Sequence, residues 1–285
     1  MTAEIFTTLL LSGVCTGALY GLFASGLTFQ LGSLSIANFG YGAWLALAMY
    51  VTYFALRVWN IPLWTLIIVL PASFFVAGYL IRNFLLTHNT LAVQILTTLG
   101  VAMVVNGFIY LVFSPAPRTL GIIEPLFFLT PDIHVGLLRL LAFVVAGVTL
   151  VSFQLFLRRS YLGKVIRAVV EEPEAAQLMG INSKRILGIA FGLSFVLIAI
   201  AGIIMMHLFP VTSTSGSMYQ LMSFLIATIA GLGNMRGAFF AGIAIGVMNA
   251  YLLYFVASFA TVILFSVFVV VLIVFSGRTA GIRHV

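Results

Sequence analysis

Apolar runs of membrane-crossing length follow one another along almost the whole chain, separated by short polar stretches. A hydrocarbon core of about 30 Å takes roughly 20 helical residues to cross. The pattern predicts spans at roughly residues 5–30, 36–56, 61–86, 91–113, 137–157, 186–209, 218–233, 237–256 and 258–276. The short alternating segments that a closed β-barrel would need do not occur in the sequence. The expected fold class is therefore all-α, a polytopic membrane protein of about eight to ten transmembrane helices. Only 114–136 and 158–185 are long polar interruptions, so residues 1–285 read as a single transmembrane domain without a separate soluble one. The first run carries Glu4 rather than a basic flank and is too long for the apolar part of a cleaved signal, so a retained span is expected.

Two spans break the pattern. In LFASGLTFQLGSLSIANFGYGAW, the positions Gly32, Ser33, Ser35, Asn38, Gly40 and Gly42 interrupt the apolar run. In SFLIATIAGLGNMRGAFFAGIAIG, a short run is broken by Gly231, Gly233 and Asn234. Each half of the chain thus holds one discontinuous helix, followed by a Gly-Ala pair at Gly42-Ala43 and Gly237-Ala238, and the halves are weakly related. Exposed backbone polar groups are costly in lipid, so irregular chain survives there only where protein or a water-lined cavity satisfies it. One reading makes the breaks a substrate pathway between internal repeats, with Asn38, Phe39, Tyr41, Gly231, Gly233 and Asn234 as its candidate residues. The other makes the glycines close-packing contacts between helices.

Composition supports the bilayer and narrows the chemistry. With 63% of residues apolar, 7% charged and a mean hydropathy of +1.23, no water-facing exterior can be built. The net charge of +7 does not imply nucleic acid, because the basic residues lie in loops where membrane orientation already explains them. Cys15 is the single cysteine, so an internal disulfide is ruled out and a small buried hydrophobe is the expected role. By the positive-inside rule the 158–185 loop, Arg82, Arg236 and the tail with Arg278 and Arg283 fall in the cytoplasm. The 114–136 loop, with Glu124 and Asp132, and the amino terminus then fall outside, and nine crossings close the parity.

The 158–185 loop holds nine of the nineteen charges: Arg158, Arg159, Lys164, Arg167, Glu171, Glu172, Glu174, Lys184 and Arg185. Pro173 suits a first helical turn, and Glu171, Glu172 and Glu174 are placed where a positive helix end favours acid. Gly180 is a natural terminator, and Asn182 or Ser183 can cap the next helix. A short helix from Pro173 to Met179 is predicted, with Ala175, Leu178 and Met179 on one apolar face and Val169 and Val170 extending it upstream. Such a face suits a partner's groove or, alternatively, a headgroup surface, which the nearby basic residues also favour.

The stretch GKVIRAVVEEPEAAQLMGIN resembles the cytoplasmic coupling segment of ABC importer membrane subunits, and is most similar to the H-type permease of the branched-chain amino-acid importer family. Glu174-Ala175-Ala176 followed by Gly180 matches that family's E-A-A...G signature, and SIANFGYGA and IAGLGNMRGAFFAGIAIGV extend the resemblance over most of the chain. The resemblance implies a permease subunit moving a small neutral or zwitterionic solute inward across the bacterial inner membrane. It also implies a related M-type permease, two cytoplasmic ATPase subunits that use the ATP, and a periplasmic solute-binding protein. Coupling to the ATPase would then fall to Glu172, Pro173, Glu174, Ala175, Ala176, Leu178, Met179 and Gly180. The chain departs from the family where Tyr41 replaces a common His and Ala43 a frequent acid, which opens the substrate to urea, short amides or organic acids beside branched-chain amino acids.

No catalytic residue, metal site or cofactor is expected in this chain. Gly231-Leu232-Gly233-Asn234 resembles the G-x-G-D of aspartyl intramembrane proteases, but Asn234 has no carboxylate and no Asp lies in a predicted span. His207 has no nucleophile in a recognisable arrangement, no Cys or His cluster is present, and there is no phosphate-binding G-x-x-x-x-G-K. The rival class is a passive facilitator or an ion-coupled secondary transporter. Ion coupling usually relies on ionisable groups at mid-depth, whereas Arg57, Arg82, Arg139 and Arg236 all fall near span ends.

Overall fold

The computed structural model describes residues 2–86, 90–113, 116–121, 126–130 and 133–280, and each of the nine apolar runs is a helix in it. These are α1 (Thr2–Thr28), α2 (Tyr41–Arg57), α3 (Leu63–Leu80), α4 (Leu91–Phe113), α5 (Leu137–Arg159), α8 (Ser183–Leu208), α9 (Ser215–Ala230), α10 (Met235–Phe255) and α11 (Ala260–Ala280). Between α5 and α8 lie two further helices, α6 (Tyr161–Glu171) and α7 (Pro173–Leu178). Among the described residues, six helices are long and apolar enough to cross a membrane. By contrast α2 and α9, at 17 and 16 residues, fall short of the roughly 20 a full crossing takes. Residues Glu124, Asp132 and Arg283, which entered the orientation expectation, lie outside the described residues.

The organising contact is between α1 and α10. Gly13, Gly17 and Gly21 recur every fourth residue on α1 and meet Gly242 and Gly246 on α10. A Cβ on Gly17 would stand 2.7 Å from the Gly242 carbonyl oxygen and from Ile243 Cα, and one on Gly21 would stand 2.8 Å from Phe239 Cα. In lipid there is no hydrophobic drive between helices, so backbones that touch gain dispersion which larger side chains would prevent. Close helix packing through glycine therefore operates along this seam. Further small-residue contacts join α2 to α8 at Ala48 and Gly202, and α2 to α9 at Gly42 and Gly216.

These contacts set an inner and an outer layer. Of the α8 span 72% is buried, against 22% of the α4 span. The outer helices present Trp64, Ile68, Leu96, Met103 and Leu111, an apolar exterior suited to lipid. Two helices end in a turn of π-helix, α1 at Phe29–Ser33 and α3 at Ile81–Leu85.

Opposite ends of the bundle carry different loops. At one end lie Arg82, α6, α7 and Arg236: Asn83 abuts Gly188 at the start of α8, and Arg236 Nε donates to Gln154 Oε1 at 2.9 Å. At the other, Arg118 and Val211 exchange backbone hydrogen bonds at 2.9 Å, and the Arg118 guanidinium sits 5.8 Å from the Tyr53 ring centre. One element departs from the helical expectation. Within the 114–136 interruption, β1 (Leu126–Thr130) and β2 (Ile133–Gly136) pair antiparallel, with Phe127 opposite Val135 and Phe128 opposite His134. Beta-branched and aromatic residues favour a pleated surface, and this stretch carries Phe127, Phe128, Ile133 and Val135.

Candidate functional site

The two broken segments meet. Gly233 donates its N–H to the Thr28 carbonyl at 3.2 Å, and Gly32 is so close to the Gly233 backbone that no side chain fits between them. Gly231 and Gly233 hold φ of +82° and +86°, the left-handed region that favours glycine, and so turn the chain from α9 into α10. Asn234 then caps α10, its Oδ1 accepting from the Gly237 N–H at 2.9 Å. This turn lies at the α6 end of the bundle, beside Gln154 and Arg167.

Asn38, Phe39 and Tyr41 form a separate cluster. The Asn38 amide oxygen accepts from the Gly40 N–H at 2.9 Å, which shapes the turn leading into α2. The Phe39 N–H donates to Thr98 Oγ1 at 3.1 Å, and its ring lies 4.8 Å from that of Phe224. Gln220, buried on α9, ties the cluster together. Its Oε1 accepts from the Gly42 N–H and its Nε2 donates to the Asn38 carbonyl at 3.4 Å. These bonds satisfy backbone groups that the interrupted helix leaves open. Tyr41 is fully buried, its ring tilted against that of Phe23 with centres 4.7 Å apart, and its hydroxyl has no hydrogen-bond partner among the described residues.

Sequence reasoning thus placed the breaks but missed what satisfies them. Thr98 and Gln220 are polar residues inside apolar runs, a signal that was present in the sequence. They line or border a groove of about 320 Å³ between α2, α4 and α9, walled by Phe39, Ala43, Asn106, Ser217 and Gln220 among others. Asn106 Oδ1 is buried and has no hydrogen-bond partner among the described residues. Of the six pathway candidates only Phe39 lines this groove. Asn38 and Tyr41 stand behind it, and Gly233 and Asn234 line a different cavity.

The coupling candidates occupy the far end of a folded arm. Ser160 caps α6 by accepting from the Gly163 N–H at 3.0 Å. The inner face of α6 is Val165, Ile166 and Val169. Ala176, 5% exposed, packs against Val165 and Val169 and is the buried point of α7. The helix ends as a Gly180 turn at φ +80°, with Ile181 donating to the Ala176 carbonyl at 3.0 Å and Gly180 to that of Gln177 at 2.9 Å. Asn182 caps α8, accepting from the Arg185 N–H at 3.1 Å.

Everything else on α7 faces outward. Glu172, Pro173, Glu174 and Ala175 are exposed, and Leu178 and Met179 are 90% and 83% exposed. Two expectations are corrected. Val169, 1% exposed, belongs to the inner face of α6 and does not extend the exposed apolar patch. Glu171 closes α6, so it stands at that helix's negative end; Glu172 is the boundary residue and only Glu174 sits in the first turn of α7. Among the described residues no group of His, Cys, Asp or Glu could hold a metal ion.

A family model described as "Branched-chain amino acid transport system / permease component" matches residues 9–276. The chain is 24% identical over 262 residues to the high-affinity branched-chain amino acid transport system permease protein BraD of Pseudomonas aeruginosa, covering 85% of this chain and 84% of that one. It is 22% identical over 288 residues to the LivH permease protein of Escherichia coli K12, covering 92% and 91%. A probable LivH permease of Methanocaldococcus jannaschii is 26% identical over 249 residues, covering 83% and 78%. Among solved structures, PsaBC from Streptococcus pneumoniae in complex with Fab shares the fold at a TM-score of 0.51 and 12% identity, covering 93% of this chain and 90% of that one.

Proposed function

The chain belongs to the family of branched-chain amino acid transport system permease components, and from that premise we propose that it is the membrane path of an importer driven by separate ATPase subunits through α7. A transport permease subunit is not itself an enzyme. The observation that carries the ATPase reading is the exposure of Leu178 and Met179 on an arm outside the apolar bundle. Large apolar side chains held in water are costly, and a partner groove removes that cost. A passive facilitator has no use for such an arm.

The assembly carries a related M-type permease and a periplasmic solute-binding protein, with ATP consumed on the ATPase chains. The α6–α7 end faces the cytoplasm of a bacterial inner membrane, and the amino terminus the periplasm. The solute is a branched-chain or other hydrophobic amino acid, with urea, a short amide or an organic acid as the remaining classes. Phe39, Asn106, Ser217 and Gln220 border its path, and Asn38, Tyr41, Gly231, Gly233 and Asn234 hold the broken helices in shape around it.

One experiment on the assembled transporter separates the two roles. Ala175→Asp or Glu174→Lys is expected to lower substrate-stimulated ATPase by at least about tenfold, because the new charge must be desolvated in the partner's groove. Asn106→Leu is expected to lower uptake while leaving basal ATPase intact. Full substrate stimulation in both α7 variants would remove the coupling role, and unchanged uptake in Asn106→Leu would remove the path.

A further inference from the structure

Two cavities share a wall where α5 ends and α10 begins. The first, about 390 Å³, is lined by apolar residues such as Phe29, Ile166 and Val170 and by the polar Gln154, Arg158, Arg167, Glu171 and Arg236. The second, about 350 Å³, is an apolar groove between α5 and α10 that runs past Gly147, Val151, Leu155, Phe239 and Phe240. Gln154, Arg158 and Arg236 line both.

The position is interfacial. Arg158 is in the last turn of α5 and Arg236 in the first turn of α10, where apolar spans give way to headgroups. Its lining carries three guanidiniums, Arg158, Arg167 and Arg236, and one carboxylate, Glu171. Their internal commitments are few. Arg236 donates one bond to Gln154, and Arg167 donates from Nη1 to the Leu157 carbonyl at 3.0 Å. Arg158 makes no hydrogen bond or ion pair among the described residues. A guanidinium fork pairs with phosphate oxygens in two parallel bonds, so this chamber is suited to a phosphate.

We propose that chamber and groove together bind one anionic phospholipid, its phosphate held by Arg158 and Arg236 and one acyl chain lying between α5 and α10 over Val151 and Phe240. The continuity of the two cavities through shared residues selects the lipid. A free phosphate or nucleotide would use the chamber and leave the groove without a role. Because α6 follows α5 after a single residue and leads into α7, the lipid fixes the root of the arm to the leaflet. This inference does not depend on the ATPase reading.

The test is native mass spectrometry of the assembled transporter released from phosphatidylcholine nanodiscs containing a minor fraction of phosphatidylglycerol. The expected result is selective retention of phosphatidylglycerol, lowered about tenfold by Arg158→Gln with Arg236→Gln, since loss of a charge-assisted bidentate contact is of that order. Arg158→Gln alone removes no internal bond and serves if the double variant does not assemble. Val151→Trp, which fills the groove, is expected to lower retention similarly. Arg159→Gln, beside the site but lining neither cavity, is expected to leave it unchanged. Equal loss in Arg159→Gln would reveal a diffuse surface attraction and overturn the site. Full retention in Val151→Trp, or displacement by excess inorganic phosphate or ATP, would make it a free-anion chamber and overturn the lipid.

Discussion

The α1–α10 seam and the α7 arm are both built from small residues, and they use them for opposite ends. Along the seam, Gly13, Gly17, Gly21, Gly242 and Gly246 bring two backbones into contact, with no space for even a methyl group. On α7, Ala176 is a single buried point, and Gly180 has nothing within 4 Å of where its Cβ would stand. In the seam the smallness is demanded by packing on both sides. On the arm it is demanded by one local contact and one backbone angle, so the exposed residues between them are free of the fold. On the proposed reading, the apolar character of Leu178 and Met179 serves a partner chain.

The contrast can be broken most strongly at the seam. Gly17→Leu forces backbone against backbone, at a cost of about 3 kcal/mol or more, because neither wall is a flexible side chain. The expected outcome is loss of monodisperse protein in detergent, measured by size-exclusion chromatography and thermal unfolding. A variant as stable as the parent would mean the seam is looser than described.

An intermediate effect is expected at Ala176→Asp, which puts a carboxylate against Val165 and Val169 at a cost of about 2 kcal/mol or more. Hydrogen exchange should show α7 amides losing protection while those of α1 and α10 keep theirs. Protection lost throughout the bundle would show the arm to be part of the core.

Gly180→Ala is expected to have the smallest effect. With open space around it, only the left-handed backbone resists, costing about 1–2 kcal/mol. Amide exchange at Ile181 should rise by about tenfold on that basis, with unchanged thermal unfolding. No change at Ile181 would mean the turn is not held as described.

The nine apolar helices and the ends of α7 were legible in the sequence because both are local, whereas the shortness of α2 and α9 was not. A long apolar run has one solution in a bilayer, and Pro173, Gly180 and Asn182 act through their own backbone positions. The helix α6 was not read, since a charged amphipathic stretch looks like a loop until Val165, Ile166 and Val169 have something to face. The broken segments were located, but their partners were not. Gln220 lies 178 residues from the Gly42 N–H it accepts from, and Thr98 lies 59 from that of Phe39. The hairpin of β1 and β2 pairs neighbouring segments, so its signal is local and lies in the β-branched and aromatic residues of 126–136.

By itself, the sequence determined that this protein lives in a bilayer as a bundle of helices, where it must break, and where its charge gathers, because hydrophobicity and backbone propensity act within a few turns of chain. Tertiary structure alone decided that Gly32 meets Gly233, that Gln220 closes the first break, and that Arg158 and Arg236 share a wall. Those facts depend on which helices pack together, and in lipid that is settled by close backbone contact, which no single helix carries in its own pattern.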